Sequence, residues 1–416
     1  MILPRLFQVK QSFQGPKVDN ISDEVFQQLQ SLSLHEKISP HERVAITAGS
    51  RGIANIQMII KAIVDYVKSI NAEPFIVPAM GSHGGGTAEG QLEVLRSYNI
   101  TPESCGCPIL ASMDTVVVCQ ASEGIDIHFD KHAHQADHVI VCGRVKPHTD
   151  FDKEIQSGLM KMMLIGLGKH RGACIYHRAF ADYSFQQIVR SVSNEVIKNC
   201  RIAAGLAIVE NGHEETALLE AVAPEKIQTR EPELLKLADE WMARIPFDKA
   251  DVLIIDKMGK NISGTGMDTN VIGRKTNENA AGEHEFPKIK KIIVRSLTDE
   301  THGNATGIGM ADYTTQHLID QMDYEKTRVN CVTSGRTAAG MLPIYFPTDR
   351  ETVDAALGTV GLIPREQARL IRIPDTLNLA HMACSERFLA EVQERPELEI
   401  TSDLYEMTFD EQGTLQ

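Results

Sequence analysis

No stretch of this sequence reaches the ~18 consecutive apolar residues that a membrane-spanning helix needs, so no span is expected. The first residues, MILPRLFQVKQSFQG, lack the long apolar core and small-residue cleavage site of a secretory leader. The eight cysteines contain no C-x-x-C pair, only the C-x-C of Cys105 and Cys107. In a chain of 416 residues that pattern excludes a disulfide scaffold and predicts a reducing, cytoplasmic setting. Positive charge is scarce, with 42 Lys and Arg against 56 Asp and Glu, a net of −14. Nucleic acid is therefore an unexpected partner, because its phosphates would be repelled. A small anionic ligand remains compatible, since the potential inside a cleft is set locally. Internal repeats, low-complexity tracts and a Walker loop are also missing, and no G-x-G-x-x-G stands in the right frame.

What the chain does have is a series of short Val- and Ile-rich runs alternating with amphipathic segments. RVAITAG (43–49) reads as a strand, and NIQMIIKAIVDYVKSIN (55–71) has helical spacing at Ile56, Ile59, Ile60, Ile63, Val64 and Val67. PFIVPAM (74–80) reads as the next strand and AEGQLEVLRSYN (88–99) as the next helix. Strands at 138–145 and 201–211 continue the series around a helix at 180–199. This order predicts an α/β fold with mostly parallel sheets and crossover helices. A helix over 234–246 closes the first unit. A second α/β unit follows, with strands at 250–259, 288–298 and 328–335. The expected division is 1–245, 246–384 and a tail, 385–416, packing back on the first domain. The expected active site is a cleft between the two domains.

Ligands of open α/β sheets sit beyond the carboxyl ends of the strands. Arg51 follows the first strand, His83 in GSHGGGTAEG follows the second, and His148 in KPHTD follows the third. A cation at a helix start is not favoured by the helix dipole. An anionic ligand would resolve this for Arg51, whose fork suits a carboxylate. The glycine-rich loop has two readings. It is a turn with Thr87 capping the next helix, or the backbone of Gly81, Ser82, Gly84 and Thr87 cradles a phosphate beside His83. HFDKHAHQADH holds His128, His132, His134 and His138 at metal-like i, i+4 spacings, but reads more simply as a solvated segment. Lys161 stands in the apolar run GLMKMMLIGLG, and His177 follows sixteen residues later. Such a lysine snorkels, pairs with an acid or is used chemically.

In this order the motifs resemble nickel-dependent lactate racemase and its relatives. That family carries SD-x-TRP with a substrate-binding arginine, GxHR-x-x-T with a catalytic histidine, H-x-x-AGFSGG-x-K with a second histidine and a cofactor-bearing lysine, and a later histidine on nickel. The resemblance covers roughly residues 40 to 280. It implies that Arg51 binds substrate, that His83 and His148 are the catalytic histidines, that Lys161 tethers a nickel-pincer nucleotide, and that His177 ligates its nickel. The family's PLD-x-N-x-x-Q-x-x-K is similar to GMDTNVIGRKT, which places Asp268 and Asn270 with the cofactor. Gly273 and Thr276 replace its glutamine and lysine, with Arg274 and Lys275 offset beside them as substrate-binding residues. The sequence departs from the pattern at Ala48, at the missing arginine after His83, and at the proline lost from 158–166. The gap from His148 to Lys161 is also three residues longer than the family spacing. Its one tryptophan, Trp241, lies outside the region where the family sets one against substrate.

The implied activity is racemisation or epimerisation of a 2-hydroxy acid by reversible hydride transfer to the pincer ring, with two neutral histidines moving the hydroxyl proton. The implied partners are the hydroxy acid and the machinery that makes the cofactor. Two alternatives stay open: a nucleotide- or phosphate-binding transferase or sensor using the 81–87 loop without nickel, and a non-catalytic carrier of cofactor precursors. Small polar residues at 261–270 and 298–306 favour a polyhydroxy acid over lactate, whose methyl would leave them unpaired.

Overall fold

Strand β1 (Leu6–Gln11) opens the chain but does not join the sheet that follows it. In the computed structural model, which describes residues 3–151 and 153–416, the chain forms two units. One is Gln14–Met242. The other joins Met1–Phe13 to Ala243–Gln416.

The Gln14–Met242 unit is built on β2 (Arg43–Ala48), β3 (Glu73–Pro78), β6 (His138–Arg144), β7 (Ile202–Glu210) and β8 (Thr216–Val222), in the order β3-β2-β6-β7-β8. The first four run parallel and β8 is antiparallel. A hairpin of β4 (Thr115–Gln120) and β5 (Asp126–Asp130) stands apart. Both faces of the parallel strands are covered, which is why they read as nearly continuous apolar runs rather than alternating ones. Val44, Ile46, Ile140 and Cys142 pack on one face with the helix Ile56–Ser69. Ala45, Val139 and Val141 pack on the other with the helix Phe185–Asn199. The Ile56–Ser69 helix buries the six apolar positions that its periodicity marks.

The second unit carries one mixed sheet, in the order β12-β11-β10-β9-β13-β14-β1-β15. Its strands are β9 (Lys249–Met258), β10 (Lys288–Leu297), β11 (Tyr313–Thr315), β12 (Ile344–Phe346), β13 (Leu370–Ile373), β14 (His381–Ser385) and β15 (Leu398–Ile400). The half from β12 to β13 is parallel, and β14, β1 and β15 are antiparallel.

Two expectations change here. The break near 245 falls at 242/243, but the tail's β15 pairs with β1, and both belong to the second unit. Residues 328–335 are not a strand but part of the helix Tyr324–Ser334. Asp323 caps it by accepting from the Lys326 amide, and Gly335 ends it in the left-handed region. Thr327 and Cys331, four apart, make its buried side, so its valines mimic a strand only in composition.

Candidate active site

Because β3, β2 and β6 are adjacent and parallel, their carboxyl ends lie at one sheet edge. The residues after them are Gly81–His83, Gly49–Arg51 and Val145–His148. Met162 plugs the gap between the ends of β2 and β6. A Cβ on Gly143 would come within 2.7 Å of the Met162 side chain, and one on Gly49 within 3.4 Å. This plug brings its neighbour, Lys161, to the sheet edge.

The segment bearing Lys161 is irregular. An extended Gly158 leads into a short α-turn, Leu159–Lys161, then a π-helical turn, Met162–Gly166, and then the helix Lys169–Ala179. π-turns cost regular hydrogen bonding and are concentrated at functional sites. The start of the segment is fixed by Glu231, a buried side chain whose Oε2 accepts from the Met160 amide at 2.9 Å. Gly158 is required for that approach, since a Cβ there would fall 2.4 Å from the Glu231 carboxyl carbon. Burial pushes the Glu231 pKa up to about 7, against the lowering effect of the Met160 and Leu159 amides.

Lys161 itself is half-buried, with Nζ 5.8 Å from the centre of the Phe151 ring. Desolvation, and then the nearby Arg51 cation, bring its pKa down to about 7. Arg51 reaches solvent yet is surrounded by protein, as a group lining a hollow is. Desolvation lowers its pKa first and the Arg144 cation second. Arg144 is already paired with Glu210. His177 is exposed on the helix Lys169–Ala179, and its pKa is lowered by desolvation and then by Lys161. Lys161 thus feels Arg51 on one side, and His177 feels Lys161 on the other. No acid pairs with any of the three among the described residues.

An aromatic cluster supports the recess. Phe151 stacks on Phe185 with centroids 3.6 Å apart, and meets Phe180 edge-on at 6.0 Å. His148 stacks on Phe151 at 4.5 Å, and His177 meets Phe180 at 5.4 Å. One phenylalanine therefore contacts both His148 and Lys161. The His148 Nδ1 accepts from the Asp150 amide at 3.0 Å, so its neutral form carries the proton on Nε2.

His83 is held differently. Its Nδ1–H donates to the Met80 carbonyl at 2.9 Å, which leaves the lone pair on Nε2 in the neutral form. Its loop packs on the Lys161 segment: a Cβ on Gly81 would come within 2.9 Å of Ile165. Gly84 has a positive φ, and the close approach of its carbonyl to Gly90 leaves no room for a side chain at either position. Buried Gln91 clamps the loop, its Nε2 donating to the carbonyls of Gly81 at 3.0 Å and His83 at 3.4 Å. Gln91 is held in turn by Lys169 at 3.2 Å, a fully buried cation paired with Asp130 at 3.1 Å. Sequence reasoning missed Gln91, Asp130 and Glu231. Their role depends on burial, and only the glycines of GLGKHRG hinted at close packing.

Of the four residues of the phosphate-cradle reading, the amides of Gly81 and Thr87 donate to the carbonyls of Gly166 and Gly84. Thr87 acts as the helix cap, accepting from the Gly90 amide at 3.1 Å. The histidine run is dispersed. His128 is buried against Thr115, and His138 faces Glu42 at 3.0 Å. Among the described residues no three His, Cys, Asp or Glu side chains gather to hold an ion by themselves.

In the second unit, Asp268 caps the short helix Thr269–Ile272, and its Oδ1 accepts from the Asn270 amide and side chain, both at 2.9 Å. Lys275 Nζ donates to Asn270 at 3.1 Å. Arg274, expected to bind substrate, is instead buried, donating to Asp312 at 2.7 Å and to the Met310 carbonyl at 2.6 Å. It is a framework residue, because its guanidinium is buried and committed to Asp312 and the Met310 carbonyl. The polar loop residues are also committed to one another: Thr298 donates to Asn261 at 2.6 Å and Thr306 to Asn304 at 2.7 Å. The feature that favoured a polyhydroxy acid is therefore a property of the loops themselves.

Residues 7–187 match the family model described as the lactate racemase N-terminal domain. The chain is similar in fold to the lactate racemase apoprotein of Thermoanaerobacterium thermosaccharolyticum, with a TM-score of 0.52 and 13% identity, over 88% of this chain and 94% of that one. No curated protein matches it in sequence.

Proposed function

Starting from a chain whose residues 7–187 belong to the lactate racemase N-terminal domain family, we propose that this protein is an isomerase inverting the hydroxyl-bearing carbon of a 2-hydroxy acid. The observation that carries the reading is that Lys161 lies within electrostatic reach of both Arg51 and His177, with no acidic partner for any of the three among the described residues.

The residues fit a nickel-pincer nucleotide. Lys161, with a pKa near 7, offers a neutral amine for covalent attachment at ordinary pH. His177, kept neutral by desolvation and by Lys161, offers an imidazole, a donor suited to nickel. The remaining metal donors would come with the nucleotide. When bound, the group supplies a reversible hydride acceptor.

The chain supplies binding and proton transfer. Arg51 holds the substrate carboxylate in a bidentate fork and fixes the carbinol carbon. The Nε2 of His83 is the base that takes the hydroxyl proton, and His148, once protonated to the imidazolium, returns one when the inverted product forms. Product of the opposite hand uses the same two groups in reversed protonation states.

The test is intact mass and metal analysis of protein made together with the cofactor-producing enzymes, followed by assay with enantiopure hydroxy acids. An adduct on Lys161, stoichiometric nickel and formation of the opposite enantiomer are expected. An unmodified, nickel-free chain from that host, inert to every acid tried, would overturn the proposal.

A further inference from the structure

Strand β12 ends the eight-stranded sheet of the second unit and pairs only with β11, Ile344 opposite Tyr313 and Tyr345 opposite Thr314. The run that forms and precedes it, Met341–Phe346, contains no charged residue. Ile344 and Tyr345 point to opposite faces of the strand, and both are exposed, so neither face is covered at this edge. The helix Tyr324–Ser334 packs its Cys331 side on the turn before β12, where a Cβ on Gly340 would lie 3.0 Å from the Cys331 sulfur. Its Val329 and Val332 are left outside. Val329, Val332, Met341, Leu342, Ile344 and Tyr345 are between 46% and 64% exposed.

Soluble proteins protect sheet edges with charge, bulges or a covering element. The opposite edge follows that rule, with an exposed Glu399 in β15. β12 is guarded only by its shortness, three residues, and by Pro343 just before it, with no charge on the strand. We propose that this edge is covered by a second copy of the chain, the two β12 strands lying antiparallel across a two-fold axis and joining the sheets.

Three observations favour a second copy over another partner. A two-fold axis sets the same surface against itself, so the patch must be complementary to itself, and an uncharged apolar strip meets that condition. The chain carries a net charge of −14, so two copies repel, and their approach is least opposed along the uncharged run Met341–Phe346; on the flanking helix, Arg328 and Glu325 are paired with each other. The exposed parts of the six side chains amount to on the order of 600 Å², most of the roughly 800 Å² per partner that a stable interface buries. Backbone pairing along the edge adds to this.

Sedimentation analysis of the full chain over roughly a hundredfold range of concentration tests the proposal. Wild type should sediment at twice the chain mass. Ile344→Lys brings a cation from each copy into the strip beside the axis, and should raise the dimer dissociation constant about 100-fold or more with an unchanged circular dichroism spectrum. Tyr345→Lys serves the same purpose if Ile344→Lys does not fold. Wild type that stays a single chain throughout would mean that the strip serves another occupant, and would overturn the proposal. So would a dimer that persists undiminished in a folded variant.

Discussion

His83 and His148 are held by opposite contacts at Nδ1: that of His83 lies 2.9 Å from the Met80 carbonyl, whereas that of His148 accepts from the Asp150 amide at 3.0 Å. In the neutral forms one Nε2 therefore carries a lone pair and the other a proton, and His148 acts as an acid only after gaining a second proton. His83→Asn and His148→Asn should each lower turnover of the loaded enzyme by roughly 10²–10⁴-fold in both directions. Steady-state rates from each enantiomer check this, and wild-type turnover in either variant would remove that histidine from the mechanism.

Lys161 should behave as an unusually reactive amine. With a pKa of about 7, its acylation by a small reagent should level off near that pH. An ordinary surface lysine instead keeps gaining reactivity up to about pH 10. Peptide mass spectrometry across pH reads both in one sample. A Lys161 profile matching the surface lysines would mean that the recess does not desolvate it.

Lys161→Ala should abolish covalent attachment of the cofactor while leaving the fold intact. If an adduct persisted, Lys153 would be the candidate, because Lys169 is fully buried and paired with Asp130. His177→Ala should separate the two halves of the cofactor's binding, keeping the organic adduct and losing nickel. Full nickel occupancy in that variant would sink the ligand assignment.

Glu231 should make stability depend on pH. Its folded pKa, about 7, lies above the ordinary 4.5, so the fold disfavours the charged form. Its cost is absent below the unfolded pKa, grows as pH rises from 4.5 to 7, and is constant above. The full cost is roughly 3 kcal/mol on the usual conversion of a pKa difference. Glu231→Gln keeps an acceptor for the Met160 amide and cannot ionise. It should flatten the stability–pH curve in that window and be more stable than wild type at pH 8. Unfolding free energies from urea titrations that change equally with pH between 4.5 and 7 in the two proteins would show that Glu231 does not ionise there.

Much of the architecture was legible in the sequence alone. The strands at 43–48, 73–78, 138–144 and 202–210 and the helix Ile56–Ser69 follow from the spacing of apolar residues. That spacing is a local property which survives in one dimension. Parallel order also put Arg51, His83 and His148 at one edge, since a β–α–β series brings successive strand ends to the same side. The tertiary structure decided what depends on atoms far apart in the chain. It drew β1 and the tail into the second sheet, and turned 328–335 into a helix by a cap and a buried Thr327–Cys331 side. It buried Arg274 against Asp312, and joined His148, Lys161 and His177 through Phe151, Phe180 and Phe185. Desolvation and ion pairing made the difference between these cations. The sequence shows Lys161 and Lys169 as two lysines eight residues apart. One is partly desolvated with no acid beside it among the described residues, and the other is neutralised by Asp130 from a hairpin some forty residues earlier.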